Sequence, residues 1–143
     1  MPVSVDFELR STYLYAQVDG ENSAETVFAY MESVLAKCEE LECFRVLIHE
    51  CLSGPRLPPM VVFEIVSQGS MMALGKFDAI AFVDEKMGDM SDFAENVAIN
   101  RGMPIAMFRD VESAEAWIVR QTDDSNSQRI FRGHLDGDEP PAT

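Results

Sequence analysis

Phe77-Asp78-Ala79-Ile80-Ala81-Phe82-Val83-Asp84 is the stretch on which the fold turns. Five apolar residues, 79–83, run without interruption between two acids. A strand with one face in water alternates apolar and polar residues, whereas a strand covered on both faces reads as a continuous apolar run. Two further stretches share this character: Val46-Leu47-Ile48, within a strand predicted over 44–49, and Ile105–Phe108, which follows Pro104. Helix-length segments separate the three. Met60, Val61, Phe63, Ile65, Val66 and Met71 predict a helix that is apolar over much of its circumference and therefore well buried. Pro58 and Pro59 suit its first turn, and Gly69 or Gly75 ends it. Met90, Phe93, Ala94 and Val97 predict the next helix, capped by Asp89 or Ser91 and stopped at Asn100-Arg101-Gly102.

Toward the N-terminus, Val3, Val5, Phe7 and Leu9 alternate with polar neighbours, and Thr12–Val18 resumes the pattern after a break at Arg10-Ser11. These read as an antiparallel hairpin at a sheet edge, ended by a turn at Asp19-Gly20. Asn22 or Ser23 caps the first helix, and Asn22 with Glu25 has the spacing of a capping box. Val27, Phe28, Met31, Val34, Leu35 and Cys38 form one apolar stripe along it, to about Glu40. Toward the C-terminus, Asp110 caps a last helix with Ala114, Trp117 and Ile118 on its inner face. The order β-β-α-β-α-β-α-β-α predicts an α/β fold with a single mixed, mostly parallel sheet and an antiparallel first hairpin at its edge. One domain over 1–120 accounts for this pattern. Residues 121–143 are acidic and bury too little apolar surface to offset their ordering entropy, so a flexible tail is expected.

The balance of 25 acidic against 11 basic residues, a formal charge of −14, repels phosphate backbones and anionic lipid heads. No nucleic-acid partner is expected, and the acidic surface promotes solubility. Cys38, Cys43 and Cys51 are odd in number and lack a C-x-x-C spacing, which predicts free thiols in a reducing compartment. The start of the chain lacks a signal-peptide pattern, and no apolar run reaches membrane-spanning length, so a cytoplasmic location is expected. His49 and His134 are the only histidines and lie far apart, and no glycine-rich phosphate loop is present. No metal and no cofactor are therefore expected.

In open parallel sheets, ligands favour the crevice beyond the carboxyl ends of the strands. Those ends are Glu50–Arg56, Asp84–Met87 and Arg109-Asp110. The candidate ligand- or partner-binding residues are accordingly His49, Glu50, Ser53, Arg56, Asp84, Lys86 and Arg109. His49-Glu50-Cys51 is the most reactive-looking cluster, since His49 and Cys51 share a strand face. Side chains two residues apart on one strand make a poor thiolate–imidazole pair, so a packed strand end is the plainer expectation. Met60, Met71, Met72, Met87 and Met90 gather around the second and third helices, either as core filler or as an adaptable apolar surface.

Phe77–Asp84, Asn100-Arg101-Gly102-Met103-Pro104-Ile105-Ala106-Met107-Phe108 and the Asp110–Ile118 segment closing on Trp117-Ile118 together resemble the SpoIIAA-like or STAS-like proteins of bacteria. The element order agrees over roughly residues 3–120. Relatives of this fold include anti-sigma-factor antagonists controlled by a phosphorylated serine after a central strand. The matching position is Ser53, in Cys51-Leu52-Ser53-Gly54, where Ser-Gly remains of the Asp-Ser-Ser-Gly pattern. Pro55, Pro58 and Pro59 each lack an N–H that could hold a phosphate there, which favours an ordinary turn serine. A further branch resembles the lipid-binding CRAL-TRIO domains. The leading expectation is a non-catalytic STAS-like binding or regulatory domain acting through protein–protein contacts, including self-association as a homodimer. If the helices lie mainly on one face, as the resemblance implies, another subunit or the tail must cover the other. The alternatives are a carrier of a small apolar or lipid-like ligand, with an enclosed pocket of roughly a few hundred Å³, and a cysteine-dependent enzyme using Cys51.

Overall fold

A computed structural model describes residues 3–10, 12–73, 75–85 and 89–121. The strands are β1 (Ser4–Leu9), β2 (Leu14–Glu21), β3 (Arg45–Ser53), β4 (Ala79–Val83) and β5 (Ile105–Phe108). The helices are α1 (Ala24–Leu41), α2 (Pro59–Ala73) and α3 (Asp89–Asn100), followed by a helical run over 111–121, here α4. The sheet order is β1-β2-β3-β4-β5, with β1 antiparallel to β2 and the rest parallel. This is the mixed, mostly parallel architecture that the apolar runs predict. The expected tail lies outside the described residues except Gln121, which belongs to α4.

One sheet face packs against α1, α2 and α3. Leu14, Ala16 and Val18 of β2, Val46 and Ile48 of β3 and Ile80 of β4 form a single core with Val27, Tyr30, Val34 and Cys38 of α1 and Ile65 of α2. The period of two sends the alternate residues to the opposite face. There Leu47, Ala79, Ala81 and Val83 pack under Ala114 and Ile118 of α4. Tyr13 ties α4 to the hairpin by donating to a Glu115 carboxylate oxygen at 2.5 Å, and Arg10 pairs with the same carboxylate at 3.3 Å. The expectation that another subunit or the tail must cover this face is corrected, because α4 supplies the cover over β3 and β4. On the β2 side the same face carries Tyr15, Gln17 and Asp19, partly buried polar residues with less need of an apolar lid.

Four local expectations are also corrected. Asp19-Gly20 is not a turn: β2 continues to Glu21, pairing Asp19 with Cys51 and Gly20 with Leu52. β3 likewise runs on to Ser53, because β2 offers it backbone partners to the end. Of the two cap candidates Ser23 is the one that caps α1, its hydroxyl accepting from the Thr26 N–H at 3.1 Å, so the Asn22–Glu25 capping box does not form and the Asn22 amide donates to the Pro55 carbonyl at 3.0 Å. Finally, α2 is not well buried. Met60 (80% exposed) and Met71 (77%) face water, with Phe63 and Met72 less so, since no described element packs on that side.

Candidate functional site

β3 runs four residues past the level at which β4 ends, and Glu50, the first of them, borders a cavity. A partly open cavity of about 200 Å³ lies between the sheet and α1–α3. Its apolar wall comes from Ile48, Ile80, Phe82 and Ile105 of the sheet, Val27 and Met31 of α1, Ile65 and Val66 of α2, and Ala94 and Ala98 of α3. Gly69 belongs to its construction. A Cβ on Gly69 would collide with the end of the Met31 side chain, so the glycine lets Met31 lie against α2.

The polar groups gather at the carboxyl ends of the strands. Asn22, Tyr30, Glu50, Arg56 and Asp84 all line the cavity. Glu50 sits on the core face of β3, and the Tyr30 hydroxyl donates to its carboxylate at 2.5 Å. Arg56 pairs with Asp84 at 3.2 Å, with Asp84 largely buried and Arg56 more exposed. Burial pushes the Glu50 carboxyl up to about 7; the Tyr30 bond opposes that rise and the Asp84 charge adds to it. Burial, then the Glu50 charge, holds the Tyr30 hydroxyl well above its usual range. The donor–acceptor assignment of this pair follows.

Of the described residues nominated from sequence, Glu50, Arg56 and Asp84 come together here, while His49, Ser53 and Arg109 do not. His49 points to the opposite sheet face, its Nδ1 at 3.0 Å from the Tyr15 hydroxyl and its Nε2 at 3.1 Å from Glu85. With both ring nitrogens engaged, His49 has none left to take a proton from Cys51. Burial raises the Cys51 thiol, and the charges of Asp19, Glu85 and Glu50 raise it further, the reverse of what an activated nucleophile needs. Ser53 ends β3 rather than sitting in a turn, and its hydroxyl donates to the Gly20 carbonyl at 3.2 Å. Arg109 is exposed just after β5, and Lys86 lies outside the described residues. Among the described residues no group of three or more His, Cys, Asp or Glu is placed to hold a metal ion, and no helix is long and apolar enough to cross a membrane.

Tyr30 lies outside the apolar stripe of Val27, Phe28, Met31, Val34, Leu35 and Cys38 that the sequence predicts for α1. The signal was present: Thr26, Tyr30, Val34 and Cys38 recur every four residues and are all buried.

No family model and no curated protein matches this sequence. The chain is similar in structure to an uncharacterised protein of the DUF3478 family with a SpoIIAA-like fold, from Shewanella loihica PV-4. The two share 17% identity over 82% of this chain and 94% of that one, with a TM-score of 0.52. The fold is therefore SpoIIAA-like.

Proposed function

We propose that this SpoIIAA-like fold is a non-catalytic binding domain that takes a small, largely apolar ligand between its sheet and α1–α3. The cavity carries the reading: an apolar wall with polar groups gathered at one end fixes both the burial and the orientation of a ligand. At about 200 Å³ it holds roughly seven water-sized groups, taking ~30 Å³ for each. A six-carbon alcohol has this size.

Saturable binding to the native state raises the melting temperature by mass action. 1-Hexanol is expected to raise that of the wild type, and Ala98→Phe, which fills the cavity from α3, is expected to abolish the rise. No rise in the wild type, or an equal rise in both proteins, contradicts the reading.

A protein-binding role draws separate support from the outer side of α2. Met60, Phe63, Met71 and Met72, with Ile99 of α3, leave large apolar side chains in water. The Arg101 guanidinium sits 5.3 Å from the centre of the Phe63 ring beside them. Such a surface suits a partner with an apolar face of its own. It adjoins the helices that roof the cavity.

A further inference from the structure

We propose, on the premise that the cavity binds a small ligand, that this ligand carries a basic nitrogen: Glu50 accepts the ammonium of an alkyl amine whose chain lies along the apolar wall. A tyrosine hydroxyl has one hydrogen to give, and Tyr30 gives it to Glu50. The Arg56 guanidinium is drawn to Asp84. A carboxylate has about four acceptor sites, and Tyr30 is the only hydrogen-bond partner of Glu50 among the described residues. Glu50 thus keeps acceptor sites at the cavity, which a ligand can fill by bringing donors.

Charge points the same way. Among the described residues that line the cavity, Glu50 and Asp84 are the acids and Arg56 the base, and the lining side chains of α2, α3 and β5 are uncharged. Among the described residues, Tyr30 from α1, Arg56 from the β3–α2 connection and Asp84 after β4 are the titratable groups around Glu50. An ammonium fits this arrangement, and a carboxylate head meets repulsion from both acids.

The assignment makes amine binding proton-linked. An alkylammonium keeps its charge near neutrality, as a lysine side chain does. Glu50, titrating at about 7, must lose its proton to form the pair. Its ionised fraction rises about tenfold between pH 6 and pH 8, and the affinity should follow.

Calorimetric titration with hexylamine, 1-hexanol and hexanoate tests this. At pH 8 hexylamine is expected to bind about tenfold tighter than 1-hexanol, with hexanoate weakest. Between pH 6 and 8 its affinity is expected to rise about tenfold while that of 1-hexanol stays flat. In Glu50→Gln, hexylamine should fall to the level of 1-hexanol; attraction to the acidic surface at large would survive that substitution. The probe ranking and pH series in the wild type decide the matter even if the variant fails to fold. If 1-hexanol binds but hexylamine shows neither advantage nor pH dependence, or hexanoate binds best, the amine assignment is overturned and the cavity reading stands. If none of the three binds, both fall.

Discussion

Ile118→Ala is expected to cost about 2–5 kcal/mol of folding free energy, the range for truncating a fully buried aliphatic side chain. Ile118 has no exposed surface and packs with Leu47, Ala81 and Val83 on the sheet face turned away from α1–α3. Truncation leaves a void that the rigid sheet cannot close, and it loosens the element covering β3 and β4. Val119→Ala, one residue along α4 at a side chain 42% exposed, is expected to change stability by no more than about 0.5 kcal/mol. Urea unfolding followed by tryptophan emission measures both, because Trp117 is the only tryptophan and packs against Phe108 with ring centres 5.7 Å apart. Equal, small effects at the two positions would mean that α4 does not cover this face.

The second large effect is a pH dependence that one carboxyl group imposes on stability. The folded Glu50 carboxyl titrates at about 7, against an ordinary value of 4.5. Well below pH 4.5 both folded and unfolded chains carry the proton, and this group costs nothing. As the pH rises toward 7 the unfolded chain releases the proton while the folded chain retains it, so stability falls. Above about 7 the folded chain must ionise a carboxyl held out of water. At 1.36 kcal/mol per pH unit, this interval gives a loss of at most about 3 kcal/mol. Glu50→Gln removes the titration and keeps an acceptor for the Tyr30 hydroxyl. The variant is thus expected to gain on the wild type progressively from pH 5 to pH 8 in chemical denaturation. Parallel stability curves for the two proteins would contradict the account of Glu50.

Both effects depend on a strand pattern visible in the sequence. Ala79–Val83 is continuous because Ile80 and Phe82 face the cavity side while Ala81 and Val83 face α4. The gathering of Glu50, Arg56 and Asp84 follows from their places near the carboxyl ends of β3 and β4 and in the connection after β3, where a parallel topology puts its crevice. Other features depend on partners that a linear reading cannot see. β3 continues through His49-Glu50-Cys51 because β2 pairs with it there, although the polar residues suggest that the strand has ended. The hydrophobicity of α2 predicts burial, but a helix buries only the sides on which neighbours lie, and the outer side of α2 has none among the described elements. Tyr30 is found by spacing, and its role emerges only when Glu50 on a distant strand is brought to its hydroxyl.

The cavity as a binding site can be tested directly by recording isoleucine methyl resonances while 1-hexanol is added. Ile48, Ile65, Ile80 and Ile105 line the cavity, Ile99 lies on the exposed apolar surface, and Ile118 packs on the opposite sheet face. Saturable shifts at the four cavity isoleucines, with Ile99 and Ile118 unmoved, are the predicted result. Shifts confined to Ile99, or none at any of the six, would contradict it.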